Sequence, residues 1–487
     1  MRFSRAKSGP PRVLTTVDGQ QLLSLPTEVL AMICDDKELS ANDLAAMRLT
    51  NKGLQAVATK IFGQRYLQDP FVMILEDSLK TLVEICKHPV FGPRVRKIQL
   101  LNNLFDPQAL GIFAQKFHGA HFNGDRTKLL SAKRQIQCLA DLVAEQFVLM
   151  KSGAAFELLK RAFQILGAQG KPVAIASQMF KPSNLPIGWS KTIGRVDDDQ
   201  VHWVVGMPEV LSTLEMLLKA AQAGACAVLK LEAGVYCVGL DRSGLVSHRS
   251  INASLLLGVQ EFDFQFEWRN QHEIHNSLAY SHLLSLLRIM PKDLKTLTVR
   301  SDAVITGHHV EPHSIRYSLV DGLYHEDFTT EQPCALETLH LSKLFLKKHN
   351  LLEFLDRQRN SLKKLVLSEV YLHGEWDDVL SHIARAFSLE QFDLRKAQKV
   401  VVTPRHHSQI FSTNNVPWYT ENCEVRGKDN MRQDLTMFLE LQKTERQAKE
   451  AETRAQAQRP KRQAVGPLRR SKRIAENRPS EDQHHEQ

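Results

Sequence analysis

The sequence predicts an α/β protein in which a small helical module is followed by a row of stacked strand–helix units. Two observations indicate this organisation. Apolar residues recur with helical spacing between residues 22 and 62, and the pattern apolar-x-x-apolar-x-apolar recurs seven times farther along the chain. We therefore divide the sequence into a disordered N-terminus (1–20), a helical module (21–66), a repeat domain (67–430), a polar helix (431–458) and a disordered basic tail (459–487).

The composition indicates a folded protein that does not enter a membrane. The chain has 487 residues, of which 43% are hydrophobic, so it can bury a sizeable core. No uninterrupted apolar stretch approaches the roughly 20 residues that cross a bilayer, and residues 1–20 contain no hydrophobic signal region. The seven cysteines are scattered without a C-x-x-C pair, which is typical of reduced thiols. We expect a protein of the nucleus and cytoplasm with no membrane partner, no disulfide and no structural zinc.

The net charge of +9 is concentrated in the tail. Between Arg459 and Arg478 eight basic residues face one acidic residue, so this segment carries +7 and the rest of the chain only +2. A basic body that grips nucleic acid phosphates is therefore not indicated.

The first helix of the module is predicted from Pro26 onward. Proline suits the first turn of a helix, and Glu28 complements the positive helix start. Val29, Met32 and Ile33 give this helix an apolar face.

Two more helices complete the module. Ser40 and Asp43 have the spacing of a capping box, and Leu44, Met47 and Leu49 are assigned to the buried side of the second helix. The third helix carries one apolar stripe, made of Leu54, Val57, Ala58, Ile61 and Phe62. Three helices in about forty residues make a core that needs a neighbour or a partner for stability.

Two segments of the module resemble an F-box of the divergent fungal type. They are Leu22-Leu23-Ser24-Leu25-Pro26-Thr27-Glu28-Val29-Leu30 and Asn42-Asp43-Leu44-Ala45-Ala46-Met47-Arg48-Leu49-Thr50-Asn51-Lys52. The resemblance implies a surface that docks on the Skp-family adaptor of a cullin–RING ligase. The residues that would form or support it are Leu25, Pro26, Glu28, Val29, Ile33, Leu44 and Leu49. The alternative is a helical cap over the open end of a repeat array.

The recurring pattern predicts strands that are buried on one face. Its instances are Val95–Leu100, Cys226–Leu231, Val259–Phe264, Leu294–Val299, Leu336–Leu341, Leu362–Leu367 and Leu389–Leu394. The last three begin 26 and 27 residues apart, and the earlier spacings of 33, 35 and 42 imply insertions. A strand that is buried on one face needs a second layer, here of helices, packed on that face. Segments with helical apolar spacing occur at Ser78–Lys87, Val210–Ala221, Asn276–Arg288, Lys347–Arg359 and Trp376–Phe387.

This arrangement resembles the irregular leucine-rich-repeat bodies of fungal F-box proteins, an α/β solenoid with parallel strands on its concave side. The asparagine or cysteine expected three residues after the last apolar position occurs only as Asn103. The solenoid is therefore expected to be uneven. A general α/β domain with coincidental repeats is the alternative.

The sequence contains no constellation typical of catalysis. Gly167 to Lys171 is too short for a P-loop, and G-x-S-x-G and G-x-G-x-x-G motifs are absent. The best metal-ligand groups, His308, His309, Glu311 and His313, and separately His272, Glu273 and His275, lack the H-E-x-x-H spacing and are assigned to solvated loops. We expect no enzyme activity, no cofactor and no metal.

The basic tail resembles a nuclear-localisation signal that an acidic import receptor reads in extended form. Its residues are Lys461, Arg462, Arg469, Arg470, Lys472 and Arg473. A merely solubilising tail, or one that contacts nucleic acid weakly and without specificity, stays open.

Together these patterns predict a substrate-recognition adaptor of an SCF-type ubiquitin ligase. Its partners would be a Skp-family adaptor, through it a cullin, an unidentified protein substrate bound by the repeat body, and an import receptor. The alternative function is a nuclear scaffold or nucleic-acid-associated protein without ligase function.

Overall fold

The structure is a computed structural model that describes residues 25–105, 111, 126–178, 185–189, 205–208, 210–237, 252–268, 293–301, 335–399 and 423–458. These residues form ten α-helices and one large, mostly parallel sheet, which confirms the predicted α/β class. The chain divides into two compact units between Thr436 and Met437.

Three helices form the N-terminal module, as predicted: α1 (Thr27–Cys34), α2 (Ala41–Thr50) and α3 (Lys52–Tyr66). The capping box of α2 is present, because the Ser40 hydroxyl accepts from the Asp43 N–H at 3.2 Å and the Asp43 carboxylate accepts from the Ser40 N–H at 2.9 Å. The buried core of the module consists of Leu30, Cys34, Leu44, Leu54, Val57, Ala58 and Ile61.

Leu49 was predicted to lie on the buried side of α2, and this was wrong. Its side chain is 88% exposed, whereas Leu44 on the same helix is fully buried. The two residues are five positions apart, which places them on different sides of a helix with 3.6 residues per turn.

The large sheet has ten strands in the order β1-β2-β4-β6-β7-β8-β9-β11-β13-β15, and every neighbouring pair is parallel except the antiparallel pair β13–β15. Each of the seven predicted strand patterns overlaps one of these strands. Their bounds are β1 (Phe71–Val72), β2 (Lys97–Leu101), β4 (Val173–Gln178), β6 (Val228–Cys237), β7 (Glu261–Trp268), β8 (Thr296–Ser301), β9 (Thr338–Ser342), β11 (Lys364–Ser368), β13 (Gln391–Arg395) and β15 (Cys423–Arg426). Strands β1, β4 and β15 were not predicted.

Five shorter strands form two smaller sheets. Strands β3 (Asn103–Phe105) and β5 (Val205–Pro208) pair antiparallel, and β10 (Phe345–Lys347), β12 (Tyr371–His373) and β14 (Gln398–Lys399) pair parallel.

Seven further helices follow the module. Four match predicted helices: α4 (Glu76–Lys87), α7 (Val210–Ala223), α8 (Lys348–Arg357) and α9 (Trp376–Ala386). Two were missed, α5 (Arg126–Lys151) and α6 (Ala154–Gly167). The last, α10 (Lys428–Gln458), contains the predicted polar helix. The predicted helix Asn276–Arg288 lies outside the described residues.

The last three predicted repeats share one local geometry. Leu339, Leu365 and Phe392 are aligned across β9, β11 and β13, and all three are buried. After each strand the chain turns at a residue with positive φ, namely Lys343 (54°), Glu369 (54°) and Lys396 (48°). Because side chains rarely adopt this left-handed conformation, its recurrence at the same place indicates that the three units are equivalent.

The single predicted repeat asparagine is displaced by one position. Asn102, rather than Asn103, is the buried residue at the end of β2. Its side-chain amide donates to the Ser177 hydroxyl at 3.1 Å and to the Gly234 carbonyl at 2.8 Å, so it links the end of β2 to the next two strands, β4 and β6.

Candidate functional site

The helical module presents an exposed apolar face on α1. Val29 and Ile33 are each 37% exposed and Met32 is 75% exposed, at positions that share one side of a helix. Helix α1 is also apolar on its opposite side, where Leu30 and Cys34 are buried in the module core. Contact of an apolar helix face with water is unfavourable, so this face is a candidate docking surface.

The predicted docking residues fall into two groups. Pro26, Glu28, Val29, Ile33 and Leu49 are exposed and accessible to a partner. Leu25 is partly buried against the module core, and Leu44 lies inside the core. Leu25 and Leu44 therefore support the surface from behind. Met32, the most exposed apolar residue of α1, was not among the predicted docking residues, although the same helical stripe contains it.

Arg65 fixes the C-terminal end of α1 against α3. Its guanidinium donates to the Asp35 carboxylate at 2.9 and 3.2 Å, to the Asp36 carbonyl at 2.7 Å, and to the Asp35 carbonyl. A cation at this place also complements the negative end of the helix. The orientation of the exposed α1 face is thus set by α3.

The large sheet offers a second surface. Half-buried and buried residues alternate along strands such as β8, β9 and β11, and this surface is the side that carries the half-buried residues. One register-aligned row on this side crosses seven strands and holds four carboxylates. In order from β6 to β15 the row is Glu232, Asp263, Thr298, His340, Val366, Asp393 and Glu424.

Each carboxylate of this row has a cationic partner within the chain. Lys97 and Lys230 contact Glu232 at 2.9 and 3.1 Å, and Arg300 contacts Asp263 at 2.6 Å. Arg395 pairs with Asp393, and Arg426 with Glu424. The row is therefore polar but charge-balanced, and its centre at Thr298, His340 and Val366 lies between two arginine–aspartate pairs.

Two groups of the row have shifted pKa values. Burial acts to raise the pKa of Glu232, but hydrogen bonds and charge from Lys97 and Lys230 outweigh it and hold the pKa below its usual value. Burial lowers the pKa of His340, with a smaller contribution of the same sign from Arg300, so the neutral imidazole is favoured.

Several predicted features lie outside the described residues. They include the tail residues Lys461, Arg462, Arg469, Arg470, Lys472 and Arg473, and the histidine clusters at 272–275 and 308–313. Within the described residues, no group of three or more His, Cys, Asp or Glu side chains could hold a metal ion. None of the helices in that part of the chain combines the length and the apolar character needed to span a membrane.

Comparison with known proteins finds no match to any protein-family model and no match among curated proteins.

Proposed function

We propose that the chain is the substrate-recognition adaptor of an SCF-type cullin–RING ubiquitin ligase. In this role the α1 face docks on a Skp-family adaptor, and the repeat-like body binds a protein substrate. The observation that carries the proposal is the exposed apolar set Val29, Met32 and Ile33 on a helix whose other side is anchored in a core. It adds to the F-box-like sequence of the same helices.

The body supports the proposal in a second way. The same left-handed turn recurs at Lys343, Glu369 and Lys396, and this recurrence of one local unit supports a repeat array. The charge-balanced row on the sheet gives such an array a polar surface for a protein partner. The partner subunits of the ligase would catalyse ubiquitin transfer, and this chain would contribute only binding.

Nuclear import is proposed as a separate property of the tail. Its charge of +7 within twenty residues is the supporting observation. That same charge favours the second candidate, a nuclear scaffold or nucleic-acid-associated protein without ligase function.

The docking test uses the double variant Met32→Ala/Ile33→Ala. Truncation of two large apolar side chains that a partner buries removes about 3 kcal/mol of binding free energy. Since about 1.4 kcal/mol corresponds to a tenfold change, we expect roughly hundredfold weaker binding to a purified Skp-family adaptor in calorimetric titration.

The matched control is Leu257→Ala, because Leu257 in the repeat body is 75% exposed, as is Met32. This variant should bind the adaptor as the parent protein does. Equal adaptor affinity of the parent and the double variant, or no binding by the parent, would refute the docking proposal.

A further inference from the structure

The module meets the first strand–helix unit of the body through an arginine placed against two aromatic rings. The Arg48 guanidinium lies 5.1 Å from the ring centre of Phe62 in α3 and 5.3 Å from that of Phe91, which lies between α4 and β2. Its Nε donates to the Thr59 hydroxyl at 3.1 Å, which fixes the plane of the group. One side chain of α2 thus contacts both α3 and the body.

Phe91 is held from the side of the body as well. It is buried, and its ring stacks on His88 with centroids 3.9 Å apart and planes 18° apart. The His88 Nδ1 accepts from the backbone N–H groups of Val90 and Phe91, so the turn that carries Phe91 is itself fixed.

Gly63 allows α3 to approach this ring closely. A Cβ atom at Gly63 would lie 2.8 Å from Cδ1 of Phe91, which is too short for a non-bonded contact. Glycine within a helix is unfavourable in itself, so its presence here has a packing reason.

The segment between module and body is bound along its length. The Gln68 carbonyl accepts from the Arg96 N–H at 2.7 Å, and the Asp69 carbonyl accepts from the Gln99 side chain at 2.8 Å. The Pro70 carbonyl accepts from the Gln99 N–H at 2.9 Å. These bonds fix residues 68–70 to the body, so the orientation of the helices before them depends on the side-chain contacts of Arg48 and Phe91.

We infer that Arg48 and Phe91 are positioning residues that hold the helical module in one orientation relative to the sheet. The contact continues to the docking helix, because Arg65 joins the end of α1 to the same helix α3 that Phe91 packs against. The role of this fixed orientation rests on the proposed function. It would hold a protein bound by the body at a constant distance from the docked adaptor.

The test measures the orientation directly. Spin labels are introduced with an unnatural amino acid at Ala46 in α2 and at Leu257 in the body, two exposed positions. Double electron–electron resonance then gives the distribution of distances between them in the full chain. The parent protein should give one narrow distribution.

Two variants and one control decide the outcome. Phe91→Leu keeps an apolar side chain but removes the ring, and Arg48→Ala removes the cation; each should broaden the distance distribution at least twofold. Arg48→Lys keeps the charge but not the planar group. Its distance distribution should be narrower than that of Arg48→Ala and broader than that of the parent. Lys60→Ala changes an exposed cation of α3 and should leave the distribution unchanged.

A purely stabilising role would not change the width. Distributions for Phe91→Leu and Arg48→Ala as narrow as that of the parent would overturn the inference. The measurement needs no adaptor. If the parent chain does not bind the adaptor, only the proposed function is refuted. If the distance distributions of the variants do not broaden, only the positioning role is refuted.

Discussion

Leu44 and Leu49 allow a matched comparison of the core and the surface of the docking module. Both are leucines of α2, yet Leu44 is fully buried and Leu49 is 88% exposed. Leu44→Ala leaves a cavity among Leu30, Leu54 and Ile61, which belong to the same core. A buried leucine truncated to alanine typically costs about 3 kcal/mol. Leu49→Ala removes no buried contact, so its effect on stability should stay within about 0.5 kcal/mol.

Amide hydrogen exchange of residues 27–66 is the suitable assay, because it reports the free energy of local opening. Leu44→Ala should accelerate exchange of the protected amides by about a hundredfold, since about 1.4 kcal/mol corresponds to a factor of ten. Leu49→Ala should exchange as the parent does but bind the Skp-family adaptor more weakly. Equal acceleration by both substitutions would refute the assignment of Leu44 to the core and Leu49 to the surface.

Three further predictions concern the sheet, a buried thiol and the tail. The lowered pKa of Glu232 means that its ion pairs stabilise the fold fully above the ordinary glutamate pKa of 4.5, and that this stabilisation is lost as the pH falls through the pKa of the folded state. Urea unfolding should therefore show a stability difference between the parent and Glu232→Gln at about pH 6 that shrinks as the pH is lowered below 4.5, and a constant difference would contradict this. Burial, with a smaller contribution from Cys226, raises the pKa of Cys86 to about 12, so iodoacetamide should label this thiol at about pH 8 only in unfolded protein, as mass spectrometry can check. Four tail residues are replaced together by alanine: Arg469, Arg470, Lys472 and Arg473. This variant should no longer accumulate in the nucleus in microscopy, and its circular dichroism should match that of the parent. An unchanged nuclear signal would contradict the import proposal, and the salt dependence of extraction would then test contact with nucleic acid.

The strands of the sheet were predictable because burial on one face leaves a two-residue period in the sequence. Leu339 and Leu341 of β9, for example, are both buried while His340 between them faces outward. Strand β4 escaped prediction because one of its inward positions is Ser177, a polar residue that is buried and hydrogen-bonded to Asn102. A polar residue with a buried partner breaks the apolar pattern without breaking the strand.

Strand β6 was found, but one of the three apolar residues of its pattern was misassigned, since Cys226 and Leu231 are buried and Leu229 is not. The pattern placed Leu229 inward, whereas Leu229 is exposed and the buried positions are Leu231 and Ala233. Val173 of β4 pairs with Val228 and Ala174 pairs with Lys230, so Leu229 is the extra residue at an irregularity of the pairing. A sequence contains no direct sign of such a bulge.

The docking face could be predicted only in part. Helix α1 is apolar on two sides, Leu30 with Cys34 and Val29 with Ile33, and the sequence alone does not decide which side meets the core. The contact of Arg48 with Phe91 was missed for a different reason. It joins residues 43 positions apart through a turn geometry that no short pattern reports.

The two ends of the large sheet have a consequence for how the protein can be shortened. Strand β1 has only two residues, and the Phe71 carbonyl accepts from the Ile187 N–H at 2.7 Å, so its outer edge is partly covered. At the opposite end the antiparallel β15 pairs with four residues of β13. Removal of the chain after residue 399 would leave β13 as an open edge beside a long run of parallel strands. Such an edge accepts strands from other molecules, so a protein shortened there would tend to self-associate.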